Sequence, residues 1–215
     1  MSTILLASSS PRRKEILSML GIPFIAIHPE IDESVVDYQP PEERVVSLAF
    51  LKAAEAGRIA SSPGGIPDAK NGDGPRHILA ADTLVALRSH GGWKTLGKPK
   101  NEAEARQMLR TIQGRIQHVF TGLCVFDRLT GSSHTALSKS RVRFDTMDED
   151  AVNAYLATGE WIGAAGAYRV QGWGAAYIAW IEGSPSGVMG LPIRELYGIL
   201  SRAGTCISPP SGIRL

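Results

Sequence analysis

The sequence is poor in several things, and each scarcity closes off a class of function. It has two cysteines in 215 residues, Cys124 and Cys206, far apart and matching no metal or disulfide spacing, so both are expected to be reduced. Its five histidines (His28, His77, His90, His118 and His134) show no metal-ligand spacing either. The formal net charge is only +2, with no run of like charges to form a basic stripe, which argues against a nucleic-acid partner. No apolar run approaches a membrane span, and "ILLA" before the first serines is too short for a signal-peptide core. With 43% hydrophobic and 20% charged residues, disorder is excluded as well. The expectation is a cytoplasmic globular protein with no membrane partner, in which any anion recognition is local.

What is present is strong punctuation. Strand-like Thr3–Ala7 runs into a helix over Pro11–Leu20, stopped by "GIP", and then a strand over Phe24–Ile27. An acidic loop, "PEIDESVVDYQPP", leads to a helix over Pro41–Arg58, and "SSPGGIPDAKNGDGPR" reads as a mobile surface loop. "HILAADTLVAL" is a strand, "RSHGGWKTL" a hairpin turning at Gly91-Gly92, and Glu102–Ile112 a helix. Strands follow over Gln117–Phe126 and Thr135–Phe144, and "TMDE" reads as a capping box opening a helix over Asp148–Ala157. A strand over Tyr177–Ile181 and a helix over Pro192–Ser201 complete the core. Helices interleaved with hairpins and single strands predict an α/β fold, a mixed β-sheet flanked by helices. Residues 1–204 are expected to form one domain, and 205–215 a frayed tail.

Four stretches do not fit a purely structural reading. In "LLASSSPRRKEIL", Ser10-Pro11 is a good helix start, which puts Arg12 and Arg13 in the first turn, where the helix dipole disfavours cations. They are either a solvated cluster or, beneath a serine-rich turn with outward N–H groups, a phosphate site. On the next long helix Val45, Leu48, Ala49, Ala53 and Ala56 form the apolar stripe, and Lys52 falls inside it. An inward ammonium either snorkels or needs a counter-anion, for which bound phosphate would serve. Asp82, at an expected bend in an apolar strand, either caps a turn with Thr83 or acts as a metal ligand or general base. Lys98 in "LGKPKN" is by itself an ordinary turn lysine. "GAAGAYRVQGWG" lacks the spacing of a dinucleotide fingerprint, but its Gln171 offers the donor and acceptor that base recognition requires.

Taken in order, "ASSSPRR", "IDES", Lys52 in "LAFLKA", "AADTLV", "LGKPKN", "GAYRVQG" and "GLPI" resemble the Maf family of nucleoside triphosphate pyrophosphatases along nearly the whole chain. The resemblance implies a two-lobed α/β fold with the nucleotide in a cleft between the lobes, shared with ITP/XTP pyrophosphatases. It implies release of pyrophosphate from a triphosphate, with Asp82, Glu33 and Lys52 as the catalytic set. Ser8, Arg13, Lys52 and Lys98 would hold the phosphates. Glu33 and Asp82 would hold a divalent metal, Mg²⁺ or Mn²⁺, with Asp82 taking a proton from the attacking water. Arg12, Thr83 and Gln171 match the positions marking the branch that acts on dTTP and UTP. The partner implied is a nucleoside triphosphate, and a homodimer stays open. Hydrolysis of a triphosphate needs cations and an oriented water, and these side chains are an adequate set.

Two departures stand out: Gly163-Ala164 where the family often carries a lysine, and Gly187 where an asparagine is common. Two other readings are carried forward. One is a non-catalytic nucleotide-binding regulator of cell division, which would have no need of a water-activating acid. The other is a pyrophosphatase for modified or purine triphosphates such as 7-methyl-GTP.

Overall fold

The computed structural model describes residues 3–67 and 74–205. Cys206, the tail beyond Thr205 and the middle of the expected surface loop (68–73) lie outside the described residues. In chain order the elements are β1 (Ile4–Ala7), α1 (Pro11–Met19), β2 (Phe24–Ile27), α2 (Pro41–Ala60), β3 (His77–Ser89) and β4 (Gly92–Leu96). They continue as α3 (Glu102–Ile112), β5 (Ile116–Asp127), β6 (Ser133–Phe144), α4 (Glu149–Ala157), β7 (Ile178–Glu182), α5 (Pro185–Val188) and α6 (Ile193–Arg202). Seven strands form one mixed sheet in the order β2-β1-β3-β5-β6-β7, with β4 paired to β3. β1 runs parallel to both β2 and β3, whereas β3–β4 and β6–β7 are antiparallel. That is the flanked mixed sheet the interleaved pattern predicts. No helix among the described residues is long and apolar enough to cross a membrane.

The chain divides into two compact units. The first comprises Met1–Asp82, Thr121–Leu137 and Gly190–Leu215; the second comprises Thr83–Phe120 and Ser138–Met189.

In the first unit the sheet core is Leu5 and Ala7 of β1, Ile78 and Ala80 of β3 and Cys124 of β5. Ala49, Ala53, Ala56 and Ala60 of α2 pack on it. A stripe of alanines lets a helix lie close to a sheet, and at Gly122 of β5 the two backbones come close enough to exclude a side chain. A Cβ there would collide with the Val45 carbonyl and lie 2.6 Å from Val46 N. The expected stripe of α2 is buried at every position, Val45, Leu48, Ala49, Ala53 and Ala56. Burial in this alkyl setting pushes the Cys124 thiol up to about 12, consistent with a reduced, inert residue.

In the second unit Leu87, Leu96, Leu109, Ile112, Val142, Phe144, Tyr155 and Tyr168 belong to a second core. Arg110 and Arg106 of α3 bridge to Glu149 at the start of α4, at 2.8 and 3.6 Å.

Three local expectations need correction. The helix after residue 147 is capped by Asp148, whose Oδ1 accepts from Ala151 N at 2.8 Å, so Thr146 does not form the capping box. A carboxylate placed at the N-cap is the stronger acceptor for that orphan N–H. Ser10 stands at the cap position of α1, but its side chain makes no cap hydrogen bond. Finally, β3 is not interrupted at Asp82; it continues as a strand to Ser89. The acidic segment is also less irregular than it reads, since Glu33–Val36 is a 3₁₀ turn.

Candidate active site

The end of β1 delivers Ser8, which is buried, and α1 begins three residues later. Arg13 in the first turn of α1 folds back over that end. Its Nη1 donates to Ser8 Oγ at 3.0 Å and its Nε to Gly190 O at 2.9 Å. Ser10 N also donates to Ser8 Oγ, at 3.2 Å, so one hydroxyl ties together the turn and the arginine. No acidic residue stands in the first turn of α1 to offset Arg12 and Arg13.

Glu33 opens the 3₁₀ turn, and the turn is fixed by Asp32. Asp32 Oδ1 accepts from Ser34 N at 3.0 Å and from Ser34 Oγ at 2.6 Å. From α2, Lys52 reaches inward rather than snorkelling out. Its Nζ lies 2.7 Å from Asp82 Oδ1 and 2.8 Å from Glu33 Oε1. The counter-anion in this structure is therefore a pair of carboxylates. Lys52 and Asp82 side chains are only 16% and 13% exposed, whereas Glu33 is 51% exposed, so the cluster is buried on one side and open through Glu33.

These groups share one electrostatic neighbourhood. Desolvation pulls Arg13 below the ordinary guanidinium range, to about 10, Arg12 adds to that, and Asp82 and Glu33 oppose it. Arg13 is still protonated at neutral pH, a guanidinium facing the carboxylates of Asp82 and Glu33. The first unit thus gathers Ser8, Arg12, Arg13, Glu33, Lys52 and Asp82, three cations against two carboxylates.

Two carboxylates that converge on a single ammonium can converge on a cation of another kind. Among the described residues no group of three or more His, Cys, Asp or Glu could hold a metal ion. Two hard oxygen donors are what Mg²⁺ uses when substrate phosphates and waters complete the shell, so Glu33 and Asp82 fit such an ion and not a closed zinc site.

The remaining expected residues belong to the second unit. Thr83 follows Asp82 on β3 and is half-buried. Lys98 is exposed beyond β4 beside buried Pro99, and the preceding residue is pinned by a hydrogen bond from Gly166 N to Gly97 O at 3.0 Å. Gln171 is exposed in the turn before the 3₁₀ segment Trp173–Tyr177. At the departures, Gly163 adopts φ 68°, a conformation side chains rarely take, and Ala164 is buried. A Cβ at Gly187 would lie 2.8 Å from Ser138 Oγ and 3.1 Å from Ser184 Cβ, so a side chain there would require these two serines to shift. Sequence reasoning assigned no role to the Gly190 carbonyl or to Glu160; a backbone acceptor and a lone surface glutamate carry no sequence signal.

Residues 3–203 match the family model described as Maf-like protein. A Treponema denticola protein named dTTP/UTP pyrophosphatase is 40% identical over 205 residues, 94% of this chain and 97% of that protein. Proteins of the same name from Moorella thermoacetica (39% over 204 residues; 95% and 96% covered) and Pasteurella multocida (40% over 201 residues; 93% and 94% covered) are similar to the same extent. A solved nucleoside-triphosphatase / dITP/XTP pyrophosphatase from Mycobacterium abscessus overlaps at TM-score 0.37 and 12% identity, covering 66% of this chain and 72% of that one, a likeness too slight to bear on fold or function. With the family model matched from residue 3 to residue 203 and relatives near 40% identity end to end, the chain belongs to the Maf-like protein family.

Proposed function

We propose that this protein hydrolyses dTTP and UTP at the α–β phosphoanhydride bond, giving the monophosphate and pyrophosphate. The geometric observation that carries the reading is Lys52 held between Glu33 and Asp82 beside a desolvated Arg13. The shared name of the similar proteins supports the choice of pyrimidine substrate.

The division of labour follows from the chemistry of each group. Arg13, desolvated and hydrogen-bonded to Ser8 Oγ, is prepared for a phosphate oxygen, and Arg12 adds positive charge at the helix start. Lys52 neutralises negative charge where Asp82 and the phosphates would otherwise repel. Asp82 Oδ1 is the atom held by Lys52, and Oδ2 is the oxygen we assign to take the proton from the attacking water. The oxygen of that water ends on one product, and the bridging oxygen leaves with the other. Glu33 and Asp82 would hold a divalent cation, Mg²⁺ or Mn²⁺, which when bound neutralises phosphate charge and polarises the phosphoryl oxygen. The roles that the family resemblance implies for Lys98, a phosphate contact, and for Thr83 and Gln171, base selection, are kept as part of this proposal.

The test is a panel of nucleoside triphosphates, 7-methyl-GTP included, incubated with Mg²⁺ or Mn²⁺ and resolved by chromatography. Monophosphate and pyrophosphate from dTTP and UTP are expected. Initial release of diphosphate and orthophosphate would place cleavage at the other bond, and preference for 7-methyl-GTP would move the protein to the other branch.

A further inference from the structure

Gln171 stands in a turn that is pinned on both sides within the second unit. On its N-terminal side, Arg169 N donates to the Tyr155 hydroxyl at 3.3 Å, and Arg169 Nη2 donates to Ile162 O at 2.7 Å. On its C-terminal side, Glu160 Oε1 accepts from Trp173 N at 2.8 Å and Oε2 from Gly174 N at 3.3 Å. One carboxylate thus takes the first two N–H groups of the 3₁₀ segment that begins at Trp173, a cap supplied from 13 residues away. Only Val170, Gln171 and Gly172 lie between the two pins.

The fit is close enough to dictate residue choice. A Cβ at Gly172 would run into the Glu160 carboxylate, 2.5 Å from its Cδ, so only glycine lets the acid lie against the backbone next to Gln171. A Cβ at Gly174 would collide with the Arg169 carbonyl, which closes the turn on itself. Glu160 is itself placed by a bond from its own N to Thr158 Oγ1 at 3.2 Å, and Thr158 Oγ1 donates to Tyr155 O at 2.6 Å. Tyr155 therefore anchors both pins. Meanwhile Gln171 and Trp173 face solvent, Trp173 at 71% exposure, so the pinned backbone presents its side chains outward rather than packing them.

We propose that Glu160 is a positioning residue for base recognition: its carboxylate fixes the 171–174 backbone so that the Gln171 amide is presented to the pyrimidine base in one orientation. This rests on the reading of Gln171 under Proposed function. A turn held by two charge-assisted hydrogen bonds gives up little conformational entropy when a base binds, and that advantage appears in substrate affinity rather than in the chemical step.

The experiment compares wild type, Glu160→Gln and Glu160→Ala. For each, kcat and KM are measured for UTP and dTTP, together with inhibition by inorganic tripolyphosphate, which carries no base. Glu160→Ala is expected to raise both KM values about 10-fold with kcat within about 2-fold, the pattern of a lost binding contribution. Tripolyphosphate inhibition is expected to stay unchanged. Glu160→Gln keeps one acceptor oxygen and should fall between, with faster hydrogen exchange at the Trp173 or Gly174 amide. If the alanine variant does not fold, the glutamine variant carries the test alone. Unchanged KM in a folded variant overturns the proposal. So does tripolyphosphate inhibition that weakens in step with KM, since that marks a general structural loss. Failure of the underlying reading is separable: a wild type that binds UTP by calorimetry without cleaving it refutes the hydrolase assignment, and the Kd values then replace KM in the same comparison.

Discussion

Lys52 Nζ and Asp82 Oδ1 lie 2.7 Å apart, and the same ammonium reaches Glu33 Oε1 at 2.8 Å. A lysine from a helix stripe thereby stands between an aspartate from the middle of a strand and a glutamate from a 3₁₀ turn, one positive charge against two negative. This changes the energetics inferred from the sequence, where an inward ammonium lacking phosphate would be poorly compensated. It is compensated by two carboxylates, one of them nearly buried.

Lys52→Met is therefore expected to destabilise the free protein, not to relieve it. It strands Asp82 without its cation. The loss should fall below the roughly 3–5 kcal/mol of a fully buried pair, because Glu33 remains solvated. At about 2–4 °C per kcal/mol for a chain of this size, the thermal midpoint should drop by several degrees. The kcat/KM for UTP should fall roughly 10- to 150-fold, the worth of a charge-assisted contact of about 1.5–3 kcal/mol. A midpoint and kcat/KM both equal to wild type would remove Lys52 from the site.

Asp82→Asn is expected to keep the shape of the side chain and lose its basicity. Turnover should fall at least roughly 10²-fold, the lower end for general acid–base catalysis, while UTP binding measured by calorimetry is largely retained. A near-normal kcat in the folded variant would leave Asp82 with only its pairing to Lys52.

Much of the fold was legible because its signals are local. The wheel of α2 marks Val45, Leu48, Ala49, Ala53 and Ala56, all buried, and the ends of β2 and α3 fall at the predicted residues. Lys52 was legible as a misfit in that wheel, but its partners were not. Glu33 and Asp82 meet it through the packing of a turn and a strand against α2, and no spacing rule encodes that meeting. The same holds for Arg13, whose bond to the Gly190 carbonyl joins residues 177 apart. Thr146 misled because a capping-box pattern competes with Asp148 two residues later, and the stronger acceptor took the cap.

Gly122→Ala tests the contact that seats α2 on the sheet. The added methyl would meet the Val45 carbonyl and Val46 N, backbone atoms that cannot rotate away. Overpacking of this kind is expected to cost about 1–3 kcal/mol or more, read as a lower denaturation midpoint. Because α2 carries Lys52, kcat/KM should fall as well. Wild-type stability and activity together would show that the helix can shift without consequence for the site.

Arg13 gives the prediction that ties charge to ligand. Desolvation lowers it to about 10, so the folded protein releases this proton at lower pH than the unfolded chain does. From about pH 10 up to the ordinary guanidinium range of the unfolded chain, the unfolded state binds more protons, and the contribution of this group to stability rises with pH. A polyphosphate bound against Arg13 reverses the sign of the shift, because it favours the charged form. At pH 10, binding of inorganic tripolyphosphate should therefore take up as much as about half a proton, measured by calorimetry in two buffers of different ionisation enthalpy. At pH 7.5, where Arg13 is already protonated, its contribution to proton uptake should vanish. Arg13→Met should remove the Arg13 share of the uptake at pH 10 and weaken the thermal stabilisation that the anion confers near neutrality, the remainder belonging to the other cations of the site. Uptake undiminished in Arg13→Met would assign the proton to another group and leave Arg13 as a brace between Ser8 and Gly190.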